Sequence, residues 1–151
     1  MISRYLTTHP IAGDGTAVLG SGALVTFMGL VRPDARPGRT VRALDYAAYP
    51  LMAERQLDQL VDMAKARWPL DAVHLQHRLG VVEVGQISVV VVVAAPHRAE
   101  AYAASQFLIE QLKHRVPIWK RELYDDGTSQ WVPCPLEVLD ARILEAVDAH
   151  V

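Results

Sequence analysis

Two lysines near the end of a predicted helix are the residues of this chain best suited to chemistry. Lys113 and Lys120 lie seven residues apart with Pro117 between them, so a turn of the chain can bring both into one pocket. A lysine that is partly desolvated and close to other cations loses its proton more readily and can act in acid–base work. The alternative for each lysine alone is a solvated position at a helix end, where the helix dipole favours a cation.

Other cationic side chains suit the binding of an anion. His97 and Arg98 stand where an apolar strand is predicted to give way to a helix, and the free N–H groups of a helix N-terminus add to the side-chain charge. Arg32 lies at the exit of another predicted strand, in a segment that also holds Arg36 and Arg39. A surface His-Arg pair and a solubilising basic loop are equally good explanations, and of the three arginines we expect function only of Arg32. The residues themselves indicate a small anionic ligand held by Arg, His and Lys.

The composition of the whole chain limits the classes of function. Its 151 residues suit one domain, and the net charge is -2 with a pI near 6.3. Binding to nucleic acid or to a membrane surface relies on an excess of Lys and Arg, so neither is expected. The first residues lack the apolar core of a secretion signal, and a single cysteine, Cys134, excludes an internal disulfide. We therefore expect a cytoplasmic protein.

The sequence predicts neither a metal site nor a bound cofactor. His74 and His77 alternate along a predicted strand, so they point to opposite faces and cannot ligate one metal ion together. Cys134 lies between two prolines without a histidine near it in the sequence. We interpret it as an incidental thiol.

Three helices are predicted from apolar residues at helical spacing. The clearest one follows Pro96 and ends before Pro117, with Glu100 in its first turn and a basic cluster in its last. Its apolar stripe comprises Ala101, Ala104, Leu108, Ile109 and Leu112. A second helix is predicted from Pro50 to about Trp68. The third, near the C-terminus, is marked by Leu136, Leu139, Ile143 and Val147.

Strand-forming residues occupy much of the remaining chain. The segment 22–31 is apolar on both alternating faces, which predicts a buried strand, and 41–49 is predicted to return beside it as a hairpin with a basic tip. The run 87–95 is predicted to be the central strand, and Asp126-Gly127 predicts the turn of a small hairpin. A weak strand is predicted at 1–11, a strand with one face in water at 73–79, and a further strand at 81–84. Strands are expected to pair mostly with sequence neighbours, giving an α+β fold: a single domain over residues 1–151, with a mostly antiparallel sheet and about three packed helices.

Five segments, in order along the chain, resemble the large, catalytic subunit of molybdopterin synthase. They are GALVTFMGLVR at 22–32, LDYAAYPLMAE at 44–54, HRLG at 77–80, APHRAEAY at 95–102 and LKHRVPIWKRE at 112–122. The resemblance spans about residues 22–132, and the PIWKRE sequence after Leu-Lys is highly specific. It implies a fold similar to the α/β-hammerhead.

The resemblance also implies a reaction. Members of this family form the dithiolene of molybdopterin, in molybdenum cofactor biosynthesis, by placing two sulfurs on cyclic pyranopterin monophosphate. The sulfur arrives as the C-terminal thiocarboxylate of a small ubiquitin-like carrier subunit, whose tail enters the pocket of the large subunit. The implied activity is that of a sulfurtransferase that requires no metal.

Position by position, the resemblance assigns roles to six residues. Lys113 and Lys120 resemble the family's essential lysines, Arg32 its strand-exit arginine, His97 and Arg98 its substrate-anion pair, and Phe27 a pocket-lining aromatic. Three positions depart from the pattern of some members. An arginine just after Trp131-Val132 is replaced by Pro133-Cys134-Pro135, with Arg142 the next arginine, a methionine is replaced by Ile109, and a capping serine is replaced by Ala95.

A length along the predicted helix adds an expectation about assembly. Arg98 and Lys113 are fifteen residues apart, which puts their Cα atoms roughly 22 Å apart in a continuous helix. One small phosphate can hardly touch both, yet the resemblance assigns both to the substrate. We therefore expect a homodimer in which His97 and Arg98 of one chain complete the site of the other, and a heterotetramer once two carriers bind.

Two other classes of function remain open at this stage. A non-catalytic anion-binding or regulatory module would use the same Arg and His residues but has no need of two lysines together. An inactive scaffold that only docks the carrier tail would keep a groove for its partner and release no product.

Overall fold

The computed structural model of the chain describes residues 3–12 and 20–133. These residues form two helices and nine strands. In chain order they are β1 (Leu6–Thr7), β2 (Ala23–Leu30), β3 (Ala35–Arg36), β4 (Arg39–Ala48), α1 (Pro50–Arg67), β5 (Ala72–Arg78), β6 (Gly80–Glu83), β7 (Ile87–Ala95), α2 (Arg98–Arg115), β8 (Ile118–Tyr124) and β9 (Ser129–Trp131).

Both helices bury one face in the main hydrophobic core. α1 begins at Pro50, because the fixed φ and missing N–H of proline suit a first helical position, and Trp68 follows its end in an extended conformation. The buried residues are Ala53, Leu57, Leu60, Val61 and Ala64 of α1 and Ala101, Ala104, Ser105, Leu108 and Leu112 of α2. The predictions of helices over these two segments are confirmed. Neither described helix is long and apolar enough to cross a membrane.

The first sheet supports the two helices and has the strand order β1-β5-β7-β2. Its β7 is an interior strand in which every residue after Ile87 is buried. The β-branched valines of this strand pack well on both faces of a pleated sheet. The prediction of a central strand over 87–95 is therefore confirmed.

The second sheet is built around β4, which pairs antiparallel with β3, β6 and β8. A smaller apolar cluster lies here and consists of Val31, Val41, Leu44, Val82 and Tyr124. β8 and β9 form the predicted small hairpin, whose turn places Gly127 at a φ of 84° that glycine adopts without strain. Pairings among the described strands are antiparallel except for β1 with β5, and the α+β class is confirmed.

The predicted hairpin between segments 22–31 and 41–49 is wrong. β2 pairs with β7 in the first sheet, whereas β4 belongs to the second. The chain crosses between the sheets at Arg32 and Pro33, where proline cannot donate to a strand ladder. The prediction that strands pair mostly with their sequence neighbours is wrong as well. Among the described strands, the pairs β3–β4 and β8–β9 are the only ones formed by strands that follow each other in the chain. The helices α1 and α2 are inserted between β4 and its partner β8.

The prediction of β2 as a strand buried on both faces is also wrong. β2 is the edge strand of its sheet, and only one of its faces packs against the core. Leu24, Met28 and Leu30 on the opposite face are 45%, 44% and 57% exposed. Apolar residues on both faces of a strand therefore do not mean burial of both faces when the strand lies at an edge.

Several predictions fall outside the described residues. They are the C-terminal helix marked by Leu136, Leu139, Ile143 and Val147, the thiol of Cys134, and Arg142. The sequence predicts about three helices, and the part of the chain that the structure describes contains two.

Candidate active site

A cavity of about 630 Å³ lies where the two sheets meet the end of α2. The first sheet contributes Gly29 and Leu30 of β2, His77 of β5 and Ser88 of β7. The second sheet contributes side chains of β4 and β8, and α2 contributes the last turns around Leu112. The cavity thus draws on the ends of elements that are far apart in the sequence.

Lys113 and Lys120 both line this cavity. Lys113 is exposed in the last turn of α2, and Lys120 is partly buried on β8 after the chain has turned through the buried Val116 and Pro117. Burial, and then the charge of Lys113, lower the pKa of Lys120. The ammonium group of Lys120 is therefore held in a place where giving up its proton is easier than in water.

Strand register explains why Lys120 and not Arg121 faces the cavity. Lys120 lies opposite Tyr46 of β4 in the ladder, and both line the cavity. Arg121 points to the other face because side chains alternate along a strand. It pairs there with Asp45 at 2.9 Å and lies over the Trp131 ring.

Two arginines from the segment between β2 and β4, Arg32 and Arg36, line another wall of the cavity. Arg32 is exposed and pairs with Asp34 at 3.4 Å. Arg36 donates to both carboxylate oxygens of the buried Glu122, the shorter contact being 2.9 Å, and the Tyr124 hydroxyl donates to the same carboxylate. Arg39 lies over the Tyr124 ring, 4.0 Å from its centre, outside the cavity. Arg36 therefore fastens the loop to β8, while Arg32 is left at the mouth of the cavity.

The remaining predicted site residues lie elsewhere in this chain. His97 and Arg98 are exposed at the start of α2, at the opposite end of that helix from Lys113. Neither they nor Phe27 belongs to the cavity wall. Phe27 is partly buried against the main core, two residues before Gly29 on the same face of β2. One chain thus brings together Arg32, Lys113 and Lys120.

Several wall residues were not predicted from the sequence. His77, Tyr46, Ser88 and Glu122 all line the cavity. His77 carried one usable signal, because it occupies an inward position in the apolar alternation of β5. That signal is equally typical of a histidine that is simply packed in a core, so sequence alone gave no reason to prefer a site.

Acid stability should depend on His77. Its side chain is 5% exposed, and burial lowers its pKa from 6.5 to about 4. Between these pH values the unfolded chain binds a proton that the folded chain does not, so stability falls as the pH drops from about 6.5 to 4. The loss is about 3 kcal/mol at full extent. Urea unfolding at pH 7 and pH 5 is expected to show a smaller loss for His77→Asn than for the parent.

The matched control for this prediction is His74→Asn. His74 lies on the same strand but is exposed, so its replacement should leave the pH dependence of unfolding as in the parent. A pH dependence unchanged by His77→Asn would contradict the assignment to this buried imidazole.

Several known proteins are similar to this chain over most of its length. The family model described as MoaE protein matches residues 7–115. A molybdopterin synthase catalytic subunit from Nostoc sp. is 42% identical over 125 residues, which cover 82% of this chain and 73% of the relative. A molybdopterin synthase catalytic subunit from Halalkalibacterium halodurans is 44% identical over 117 residues, covering 78% and 74%.

Solved structures have the same fold. The crystal structure of molybdopterin synthase from Staphylococcus aureus matches with a TM-score of 0.79 and 36% identity, covering 88% of this chain and 98% of that one. A complex of subunits 1 and 2 of molybdopterin-converting factor from Helicobacter pylori matches with a TM-score of 0.64 and 26% identity, covering 75% and 73%. With the family model, these matches mean that the chain belongs to the MoaE family, the catalytic subunits of molybdopterin synthase.

Proposed function

We propose that this chain transfers two sulfurs to cyclic pyranopterin monophosphate and so forms the dithiolene of molybdopterin. Each sulfur comes from the C-terminal thiocarboxylate of one small ubiquitin-like carrier subunit, which is left with an ordinary carboxylate. The observation that carries the proposal is the cavity that holds Lys113 and Lys120 together, where burial, and then the charge of Lys113, lower the pKa of Lys120. Four basic side chains line this cavity, Arg32, Arg36, Lys113 and Lys120, against the carboxylates of Asp34 and Glu122.

The excess of positive charge suits the two reactants. A cyclic phosphate and a thiocarboxylate are both anions, so they repel each other unless cations are already in place around them. Fixed donors in a partly dry site stabilise such charge better than mobile water does. Holding the carrier tail beside the pterin also makes the transfer effectively unimolecular.

The two lysines have different surroundings and therefore different proposed parts in catalysis. Lys113 is exposed at the mouth and can hold an arriving anion by charge. Lys120 is partly buried with a lowered pKa, so it can also give a proton to a group that becomes negative as a bond breaks. Both act directly on the reactants in this proposal.

We further propose that the working site is shared between two copies of the chain. His97 and Arg98 begin α2, whereas Lys113 lies fifteen residues later near its end, roughly 22 Å away along the axis. Side chains on one helix cannot close that distance around one phosphate. A second copy can bring its own His97 and Arg98 to the cavity.

The exposed face of β2 offers the surface for that second copy. One end of β2 pairs Ala23 with Ala95, just before His97, and the other end reaches the cavity at Gly29 and Leu30. The strand covers about 24 Å between these ends, close to the length of the helix between the two sets of cations. A two-fold pair packed through this apolar face would place each His97 and Arg98 near the cavity of the partner.

The carrier subunit completes the proposed assembly. With one carrier on each copy the complex is a heterotetramer, and the two-subunit complex from Helicobacter pylori supports a partner of this kind. We place the reaction in the cytoplasm, since the net charge of -2 and the single cysteine give no sign of a membrane surface or an oxidising compartment.

Reconstitution tests the proposed function. The purified chain is incubated with thiocarboxylated carrier and cyclic pyranopterin monophosphate, and the pterin is analysed by mass. We expect a product that has gained sulfur, and none with a carrier that ends in an ordinary carboxylate. Carrier binding without any sulfur on the pterin would instead indicate a docking module, and binding of the pterin alone would indicate an anion-binding module.

A further inference from the structure

His77 is a buried, polar residue of the cavity wall that has no part in the proposed sulfur transfer. It lines the cavity and is 5% exposed, and Ser88 beside it on the wall is 6% exposed. Arg32 and Lys113, by contrast, are exposed at the mouth. The wall of the cavity therefore combines exposed cationic side chains with buried, uncharged side chains that can form hydrogen bonds.

The hydrogen bonds of His77 fix which ring nitrogen faces the cavity. Nδ1 lies 2.8 Å from the backbone carbonyl oxygen of Arg78, and a carbonyl can only accept, so Nδ1 carries the proton and donates. Nε2 then has a free lone pair. Among the described residues, none forms a hydrogen bond with Nε2. Nε2 is also not fully buried, and because His77 lines the cavity, Nε2 is open to it.

Neighbouring groups hold this arrangement in place. The ring of Tyr46 meets the imidazole edge to face with centres 5.0 Å apart, which limits rotation of the ring. The two carboxylates on the wall are occupied, Asp34 by Arg32 and Glu122 by Arg36. A ligand that enters the cavity thus meets exposed cationic donors and a fixed, neutral, buried acceptor.

We propose that His77 recognises the substrate, with Nε2 accepting a hydrogen bond from an N–H group of the pterin ring. The inference rests on the proposed function, since the pterin is the heterocycle with N–H donors that this reaction supplies. The anionic phosphate end then faces Arg32 and the lysines, and the ring points inward. The apolar walls formed by Leu44, Val89 and Leu112 suit the faces of such a ring.

Neutrality of the imidazole is what keeps the acceptor available. The charged groups that face it are Lys113 and Lys120, and burial followed by these charges keeps the pKa of His77 at about 4. The bond between Nδ1 and the Arg78 carbonyl favours the charged form but does not outweigh burial. Near neutral pH the lone pair of Nε2 is therefore free for a donor of the substrate.

Two substitutions separate recognition by Nε2 from a structural role of the ring. The amide of His77→Asn can still donate to the Arg78 carbonyl but ends short of the Nε2 position. The longer His77→Gln can place its amide oxygen near that position. Binding of cyclic pyranopterin monophosphate to the full-length protein, without carrier, is measured by equilibrium titration, with thermal unfolding of each variant recorded in parallel.

Recognition by Nε2 predicts that His77→Asn raises the Kd about tenfold, the cost of leaving a buried donor of the ligand unpaired. His77→Gln should stay within about threefold of the parent, and the exposed control His74→Asn should bind like the parent. Carrier binding should be the same for all four proteins.

Other outcomes overturn the proposal. Parental pterin binding by His77→Asn would show that Nε2 is not needed, and weaker binding by both variants in step with lost thermal stability would show a structural role. If the parent forms dithiolene but either of these results is obtained, the proposed role of His77 fails and the proposed function stands. If the parent neither binds the pterin nor forms product, the proposed function fails and the inference falls with it.

Discussion

Replacing Lys120 with alanine is expected to lower the rate of dithiolene formation at least about 100-fold, the usual cost of removing a preorganised charge-stabilising group. Lys113→Ala is expected to have a similar effect, since both line the same cavity. Neither side chain is fully buried, so truncation should cost no more than about 1 kcal/mol of stability. The measurement is the initial rate of product formation at saturating carrier, with thermal unfolding as the check on folding.

The chain supplies a matched control for these substitutions. The sequence has one lysine besides Lys113 and Lys120, which is Lys65. It lies in the final turn of α1 and does not line the cavity. Lys65→Ala should keep the parental rate. If Lys113→Ala or Lys120→Ala folds normally and also keeps that rate, the catalytic role of that lysine is wrong.

The shared site predicts recovery of activity from two inactive chains. Arg98→Ala and Lys113→Ala are each expected to be nearly inactive alone. After subunit exchange, a mixed dimer has one cavity with both lesions and one cavity with neither. Because random exchange makes half of the dimers mixed, about a quarter of the parental activity should return.

A second mixture controls for nonspecific recovery. Lys113→Ala and Lys120→Ala damage the same cavity of their own chain, so every site in a mixed dimer carries one lesion and activity should stay low. Recovery in this control mixture would contradict the assignment of both lysines to one cavity. The absence of recovery with Arg98→Ala and Lys113→Ala, despite verified exchange, would place the whole site within one chain.

Local signals were enough to predict the helices and the last hairpin. The prolines at 50, 96 and 117 and the apolar spacing between them mark both described helices, and Asp126-Gly127 marks a turn. These features depend on residues within a few positions of each other. The convergence of Lys113 and Lys120 could also be predicted from the sequence, because only a short turn separates them.

Pairing over long distances could not be predicted in the same way. β2 pairs with β7 more than sixty residues later, and nothing in the sequence of β2 distinguishes that partner from the nearer β4. Arg36 and Glu122 are 86 residues apart, so the ion pair that holds Arg36 against β8 could not be predicted from the sequence either. His77 was expected on an inward face, but only the three-dimensional structure shows that this face opens into a cavity.

The central claim is that sulfur passes from the carrier to the pterin in the cavity of this chain. The most direct measurement is reconstitution with a carrier whose thiocarboxylate bears heavy-isotope sulfur, followed by mass analysis of the pterin made by the parent and by Lys120→Ala. The account predicts a parental product that carries two labelled sulfurs and almost no such product from the variant. A pterin that acquires no labelled sulfur from a carrier bound to the folded parent would contradict it.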